Sequence, residues 1–184
     1  MNLFLRLLMT FLRARLSRER PGLFDITRIR SRVMLTDQDM FAHMTNSRYF
    51  SFSDLAIINY IIRTGCWKKL RKQGWFPVVC SETVVFSRML RAHQAFEIET
   101  HLVGWTSTYI CLEHRFTRKN KETARVRIVA RFASRRQERV SMDDITRLLD
   151  VETASPPLDE AYQGMIADVE AARARKREAD FASG

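Results

Sequence analysis

Cysteine is scarce: Cys66, Cys80 and Cys111 are the only three in 184 residues. No two stand at the short spacing that binds zinc, and an odd number leaves one thiol over in any disulfide scheme. A cross-linked extracellular scaffold is disfavoured, and a reducing compartment, the cytoplasm, is expected. Each cysteine sits inside an apolar run, where a free thiol behaves as a small buried hydrophobe. His93, His101 and His114 share no metal-ligand spacing with carboxylates or cysteines. Neither a glycine-rich phosphate loop nor a serine-nucleophile elbow occurs, so no metal and no bound cofactor is expected.

Acidic residues are in deficit, with 21 Asp and Glu against 31 Lys and Arg and a formal net charge of +10. A positive surface attracts anions such as nucleotide phosphates and lipid headgroups. Part of the excess is a solvated strand face, as at Arg125, Arg127 and Arg131. No nucleic-acid-binding module is recognisable, and nucleic acid is not an expected partner. A chain of this length with 46% hydrophobic residues supports one ordinary core rather than two.

A long uninterrupted apolar run is also missing. Residues 1–16, MNLFLRLLMTFLRARL, are greasy, but arginines interrupt them before the ~20 residues that a spanning helix needs. On a helical wheel Arg6, Thr10, Arg13 and Ser17 form one narrow polar stripe against a broad apolar face. Such a helix lies in a membrane interface, with arginines among anionic headgroups, or docks on a nonpolar surface of the protein or a partner. Export with cleavage is not expected, because Arg15, Arg18, Glu19 and Arg20 follow where small residues belong. Pro21-Gly22 is a hinge. The expected organisation is an N-terminal helix over 1–22, a folded domain over 23–150 and a helical tail over 151–184, set off by Pro156-Pro157.

Ile29, Ser31, Val33 and Leu35 alternate with arginines, predicting a strand over roughly 26–35 with those four on its buried face. The segment SRYFSFSDLAIINYIIRTG has almost no wet face and predicts a deeply buried helix. Four further strand-like runs follow: PVVCSETVVF, FEIETHLV, TYICLEHRF and ETARVRIVARF. In the last, Ala124, Val126, Ile128, Ala130 and Phe132 share one face. Short turns at Arg91–Gln94, Gly104–Ser107 and Lys119–Lys121 imply antiparallel neighbours. One strand, one buried helix and four strands describe an α+β fold in which a five-stranded antiparallel sheet wraps a long central helix. Its open edges predict a homodimer joined edge to edge, with tetramers left open.

Between the first strand and the buried helix lies TDQDMFAHMTNSRY, residues 36–49. It resembles the active-site segment of the 4-hydroxybenzoyl-CoA thioesterase-like hotdog family: Asp37-x-Asp39, a short stretch to His43, then Asn46 and Tyr49 opening the helix. It is also similar to the matching segment of plant acyl-acyl-carrier-protein thioesterases. The resemblance covers about residues 27–136, including RTGCWKKLRKQGWFPVV and Gly104-Trp105. It is greatest for a subgroup of small thioesterase-superfamily proteins that carry a greasy N-terminal segment.

The resemblance implies an acyl-CoA thioesterase acting on a fatty or aromatic acyl-CoA, or on acyl carrier protein. In it Asp39 is the carboxylate that attacks the thioester or activates water. His43 orients water or protonates the leaving thiolate, and the Asn46 and Ser47 amides hold the oxyanion. Asp37 is a turn or capping residue. Tyr49 is assigned to the substrate, although Asn46 and Tyr49 alternatively cap and pack the first helical turn. Arg88 and Arg91 suit the CoA phosphates or form an exposed turn with incidental charge. Glu82 and Asp54 interrupt apolar runs and either approach the site or are held by ordinary hydrogen bonds. Ala42 stands where the family often has glycine and Phe41 where the plant enzymes have Asn, which predicts an altered loop. The alternative reading is a catalytically feeble hotdog protein that binds acyl groups, or a partner at a membrane surface.

Overall fold

The computed structural model describes residues 3–182. Residues 1–2 of the expected N-terminal helix and 183–184 of the expected tail lie outside the described residues. The chain runs α1 (Leu3–Leu16), β1 (Thr27–Arg32), a 3₁₀ turn (Leu35–Asp37), α2 (Asn46–Arg63), α3 (Cys66–Gln73), β2 (Trp75–Phe86) and β3 (Ala95–Trp105). It continues through β4 (Ile110–Arg118), β5 (Lys121–Ser134), α4 (Met142–Leu149) and α5 (Glu160–Ala182).

The strands form one antiparallel sheet in the order β1-β3-β4-β5-β2. Alternation sets its faces. Ala124, Val126, Ile128, Ala130 and Phe132 are buried in the core, as the period-two pattern predicts. Phe96, Ile98, Leu112 and Phe116 join them, and α2 buries Tyr49, Phe52, Leu55, Ala56, Ile57, Tyr60 and Ile61 against this surface. On the outer face several arginines are paired across strands, Arg28 with Glu97 and Glu99, Arg115 with Glu99 and Glu122, and Arg125 with Glu113, and Arg125 also pairs with Glu122 of its own strand.

Several expectations require correction. β1 ends at Arg32, because the chain turns into the 3₁₀ turn and leaves Leu35 exposed. β2 and β3 are not neighbours: β2 pairs with β5, and residues 87–94 carry the chain across the sheet end while Leu90 is inserted into the core. Two short helices, α3 after α2 and α4 after β5, add to the elements expected from the sequence. Gly65 and Gly74 bracket α3 at φ 79° and 75°, a left-handed backbone that glycine adopts without a side-chain clash. α5 lies on the outer face, where Tyr162, Met165 and Val169 form a second small core with Tyr109, Cys111 and Val129.

The N-terminal helix docks on the body by its polar side. Arg6 is 5% exposed, while Phe4 is 70% and Leu12 47% exposed, with Leu5 and Leu8 on the same outward row. Arg6 enters because it meets a buried partner: it donates to Asp37 at 2.5 Å and lies 4.8 Å over the Phe52 ring. Among the described residues no helix is long and apolar enough to cross a membrane.

Candidate active site

The loop before α2 is held from below by Asp37. Its carboxylate is buried, accepts from the Met34 amide at 2.9 Å and pairs with Arg6 and, at 3.4 Å, with Arg48. Its carbonyl accepts from the Thr45 amide at 2.9 Å. Asp37 thus fixes both ends of the loop.

Asp39 stands two residues on, at the exposed end. One oxygen, Oδ1, accepts from the Phe41 amide at 2.9 Å and the His43 amide at 3.3 Å. The Asp39 amide donates to the His43 carbonyl at 2.9 Å, and that of Ala42 to the Asp39 carbonyl at 3.1 Å. The carboxylate is therefore oriented by its own turn, which needs a left-handed residue near its end. Ala42 supplies it at φ 59°, so the loop keeps the glycine-type conformation without the glycine.

The site is a cavity of about 500 Å³ at the start of α2, lined by Asp39, His43, Asn46, Tyr49, Phe86 and Arg88 among others. Thr45 precedes α2 and makes no side-chain capping bond, so the Asn46 and Ser47 amides have no acceptor within the helix. These N-H groups, at the positive end of the helix dipole, suit an oxyanion. Tyr49 is buried, its ring 5.0 Å from that of Phe86 and 5.1 Å from that of Phe116. Burial pushes its phenol up to about 12, so it stays neutral at physiological pH.

Of the residues expected from sequence, Asp39, His43, Asn46, Tyr49 and Arg88 meet at this cavity. Ser47 is exposed beside it and not on its wall. Arg91 is likewise off the wall; its backbone bridges to that of His43, and its amide donates to Gln94. The Arg88 guanidinium also donates to the Glu122 carbonyl at 2.7 Å. Sequence reasoning missed Phe86, Ser87 and Met89, which reach the cavity because the end of β2 runs past the start of α2. The alternation that turns Val84 and Phe86 inward is their only signal.

A second, apolar chamber of about 380 Å³ lies farther along α2, with Ile57, Ile58, Ile61, Leu112 and Phe132 in its wall. Among the described residues, Asp54 is the one charged side chain on that wall. It stands eight residues after Asn46, about 12 Å along the helix. Glu82 faces the same side, since its cross-strand partner Ile128 is a core residue. Burial, and secondarily Asp54, push the Glu82 carboxyl up to about 7.

The family model of the thioesterase-like superfamily matches residues 33–164. Protein THEM6 of Danio rerio is 33% identical over 92 residues, which cover 50% of this chain and 46% of that protein. The chain therefore spans under half the length of that curated relative. YbaW, a probable thioesterase from Escherichia coli, superposes with a TM-score of 0.62 at 15% identity, over 67% of this chain and 96% of its own. A 4-hydroxybenzoyl-CoA thioesterase variant solved with 4-hydroxybenzoyl-CoA gives a TM-score of 0.59 at 18% identity, over 67% and 98%. At these identities the structural matches establish the fold, which is the hotdog fold.

Proposed function

Because the chain belongs to the thioesterase-like superfamily, we propose that it is a thioester hydrolase whose reaction takes place in the Asp39 cavity. The observation that carries this reading is one wall shared by an oriented carboxylate and the open amino end of a buried helix. The Oδ1 atom of Asp39 is taken by two backbone amides, which leaves the other oxygen for chemistry.

As general base, Asp39 removes a proton from water while the water oxygen attacks the thioester carbonyl. The carbonyl oxygen becomes an oxyanion at the first α2 amides, that of Asn46 on the cavity wall and that of Ser47 next to it. Collapse breaks the C–S bond, and the thiolate takes up a proton, from His43 or from the protonated Asp39. As nucleophile, Asp39 instead forms an acyl anhydride that water then opens. Both routes give free acid and thiol.

An acyl-CoA fits best as substrate, with acyl carrier protein as the alternative thiol. The apolar chamber beside α2 would take a fatty or aromatic acyl group, and Arg88 would meet the CoA phosphates. β2 pairs with β5 alone and exposes Phe76 and Val85, which favours a homodimer joined along this edge. A panel of acyl-CoAs with free-thiol detection tests the activity; no turnover of any member by the full chain rejects it.

A second reading, a feeble enzyme that holds acyl groups at a membrane, draws on the outward apolar row of α1. Tight acyl-CoA binding without turnover distinguishes it.

A further inference from the structure

The underside of α1 closes over a different cavity, of about 560 Å³, bounded by β1 and by the face of α2 turned away from β2. Three of the residues lining it each keep a buried nitrogen donor with no acceptor among the described residues: Nε of Arg6, Nδ2 of Asn59 and Nε of Arg63. Asn59 is 5% exposed. It stands four residues before Arg63, so the two share one face of α2, while Arg6 approaches from α1.

A buried donor without an acceptor is unfavourable, and native proteins rarely leave one. Arg6 and Arg63 each spend one terminal nitrogen on a carboxylate, of Asp37 and Glu19, so it is their Nε atoms, with Nδ2 of Asn59, that are left as donors, and three donors around one cavity specify a ligand that only accepts. Of the acids beside the cavity, Glu97 is engaged with Arg28 and Arg30, while Glu19 takes a terminal nitrogen of Arg63 at 2.5 Å and leaves its Nε unmet. Arg13 lines the same cavity and joins no ion pair among the described residues. Guanidinium groups match the oxygens of a phosphate through paired N-H donors.

We propose that this cavity is a phosphate-binding site, the oxyanion accepting from Asn59, Arg6 and Arg63. The phosphate belongs to a soluble ester or to a lipid headgroup. The same helix carries an exposed apolar row on its other side, which makes the lipid a natural source. The site is separate from the Asp39 cavity, which lies toward the β2 end of the fold. It is nonetheless wired to the loop, because Arg6 also holds Asp37. The proposal does not depend on the thioesterase reading.

The test uses the full chain. Thermal unfolding is followed with inorganic phosphate against chloride at matched ionic strength, in the parent and in Asn59→Leu. The parent is expected to be stabilised by phosphate and Asn59→Leu is not, while its stability in chloride does not fall, since the lost donor had no partner. A site built only for structure predicts the reverse, destabilisation without any phosphate effect. Arg63→Gln, read by titration calorimetry with inorganic phosphate, provides a second variant and is expected to bind roughly tenfold more weakly or worse. Sedimentation with phosphatidylcholine vesicles, with and without phosphatidic acid, separates the sources. Recruitment by phosphatidic acid that is lost in Asn59→Leu assigns the lipid, and a response to soluble phosphate alone assigns the ester. No phosphate response in the parent, or equal responses in parent and variants, overturns the site.

Discussion

Arg6 of α1 and Asp37 of the loop before α2 form an ion pair in which both side chains are almost fully buried. It joins the first helix to the turn that orients Asp39, across 31 positions of sequence. Removing one partner strands a buried charge, which costs about 3–5 kcal/mol. Arg6→Leu is expected toward the lower end, because Arg48 still stands 3.4 Å from the Asp37 carboxylate. Asp37→Asn should also destabilise, and the double variant by less than the sum. Urea unfolding measures all three, and strictly additive losses would show the pair to be incidental.

Asp39 can be tested without disturbing its turn. Asp39→Asn keeps an Oδ1 acceptor for the Phe41 and His43 amides, so the fold should hold. The base or nucleophile is lost, and kcat is expected to drop by on the order of 10³-fold. A variant with parental kcat removes Asp39 from the chemistry. In a single turnover in ¹⁸O-labelled water, label found in the Asp39 side chain identifies the nucleophilic route.

Ala42 at φ 59° is a residue with a Cβ in a left-handed backbone. Ala42→Gly relieves that clash at some entropic cost, and a net gain of ~1 kcal/mol is expected with activity retained. Thermal unfolding decides it; a lower melting temperature would mean that the alanine carries no strain.

These residues show what the sequence discloses and what it hides. The burial of β5 and α2 is legible because strand and helix periods are local, and the Asp39 loop because its spacing resembles a known motif. The pairing of β2 with β5 is not legible, since a non-local contact leaves no mark in either strand alone. The rotation of α1 is hidden for a related reason. Its composition asks for a buried apolar face, but the loop offers a carboxylate that only Arg6 can neutralise from that side. The unpaired Nδ2 of Asn59 and Nε of Arg63 follow from how α1 packs on α2, which no pattern encodes.

β2 is an exposed edge, with Phe76 and Val85 presented to solvent in the single chain. Val85→Lys places a charge on that edge and should shift the oligomer toward monomer. Activity should fall with it if two chains complete each site. Sedimentation velocity at several concentrations reads the outcome, and a parent that is monomeric throughout rejects the edge-to-edge dimer.

Buried His114 and half-buried Glu82 give the pH dependence of stability opposite signs. Burial, and secondarily His101, lower His114 from 6.5 to about 3, so the folded protein keeps it neutral. Below 6.5 the unfolded chain binds this proton first, and stability falls as pH falls toward 3, by about 2 kcal/mol at pH 5. Glu82 works the other way. Its carboxyl is raised from 4.5 to about 7, the folded state holds the proton longer, and stability falls as pH rises across that window. Where the windows overlap, between about pH 4.5 and 6.5, the two contributions oppose each other. His114→Leu should expose the Glu82 slope, with stability declining from pH 4.5 to 7. Glu82→Gln should expose the histidine slope, with stability rising from pH 3 to 6.5. Urea unfolding across this range tests both, and variant profiles that merely parallel the parent would mean that neither group titrates as its burial requires.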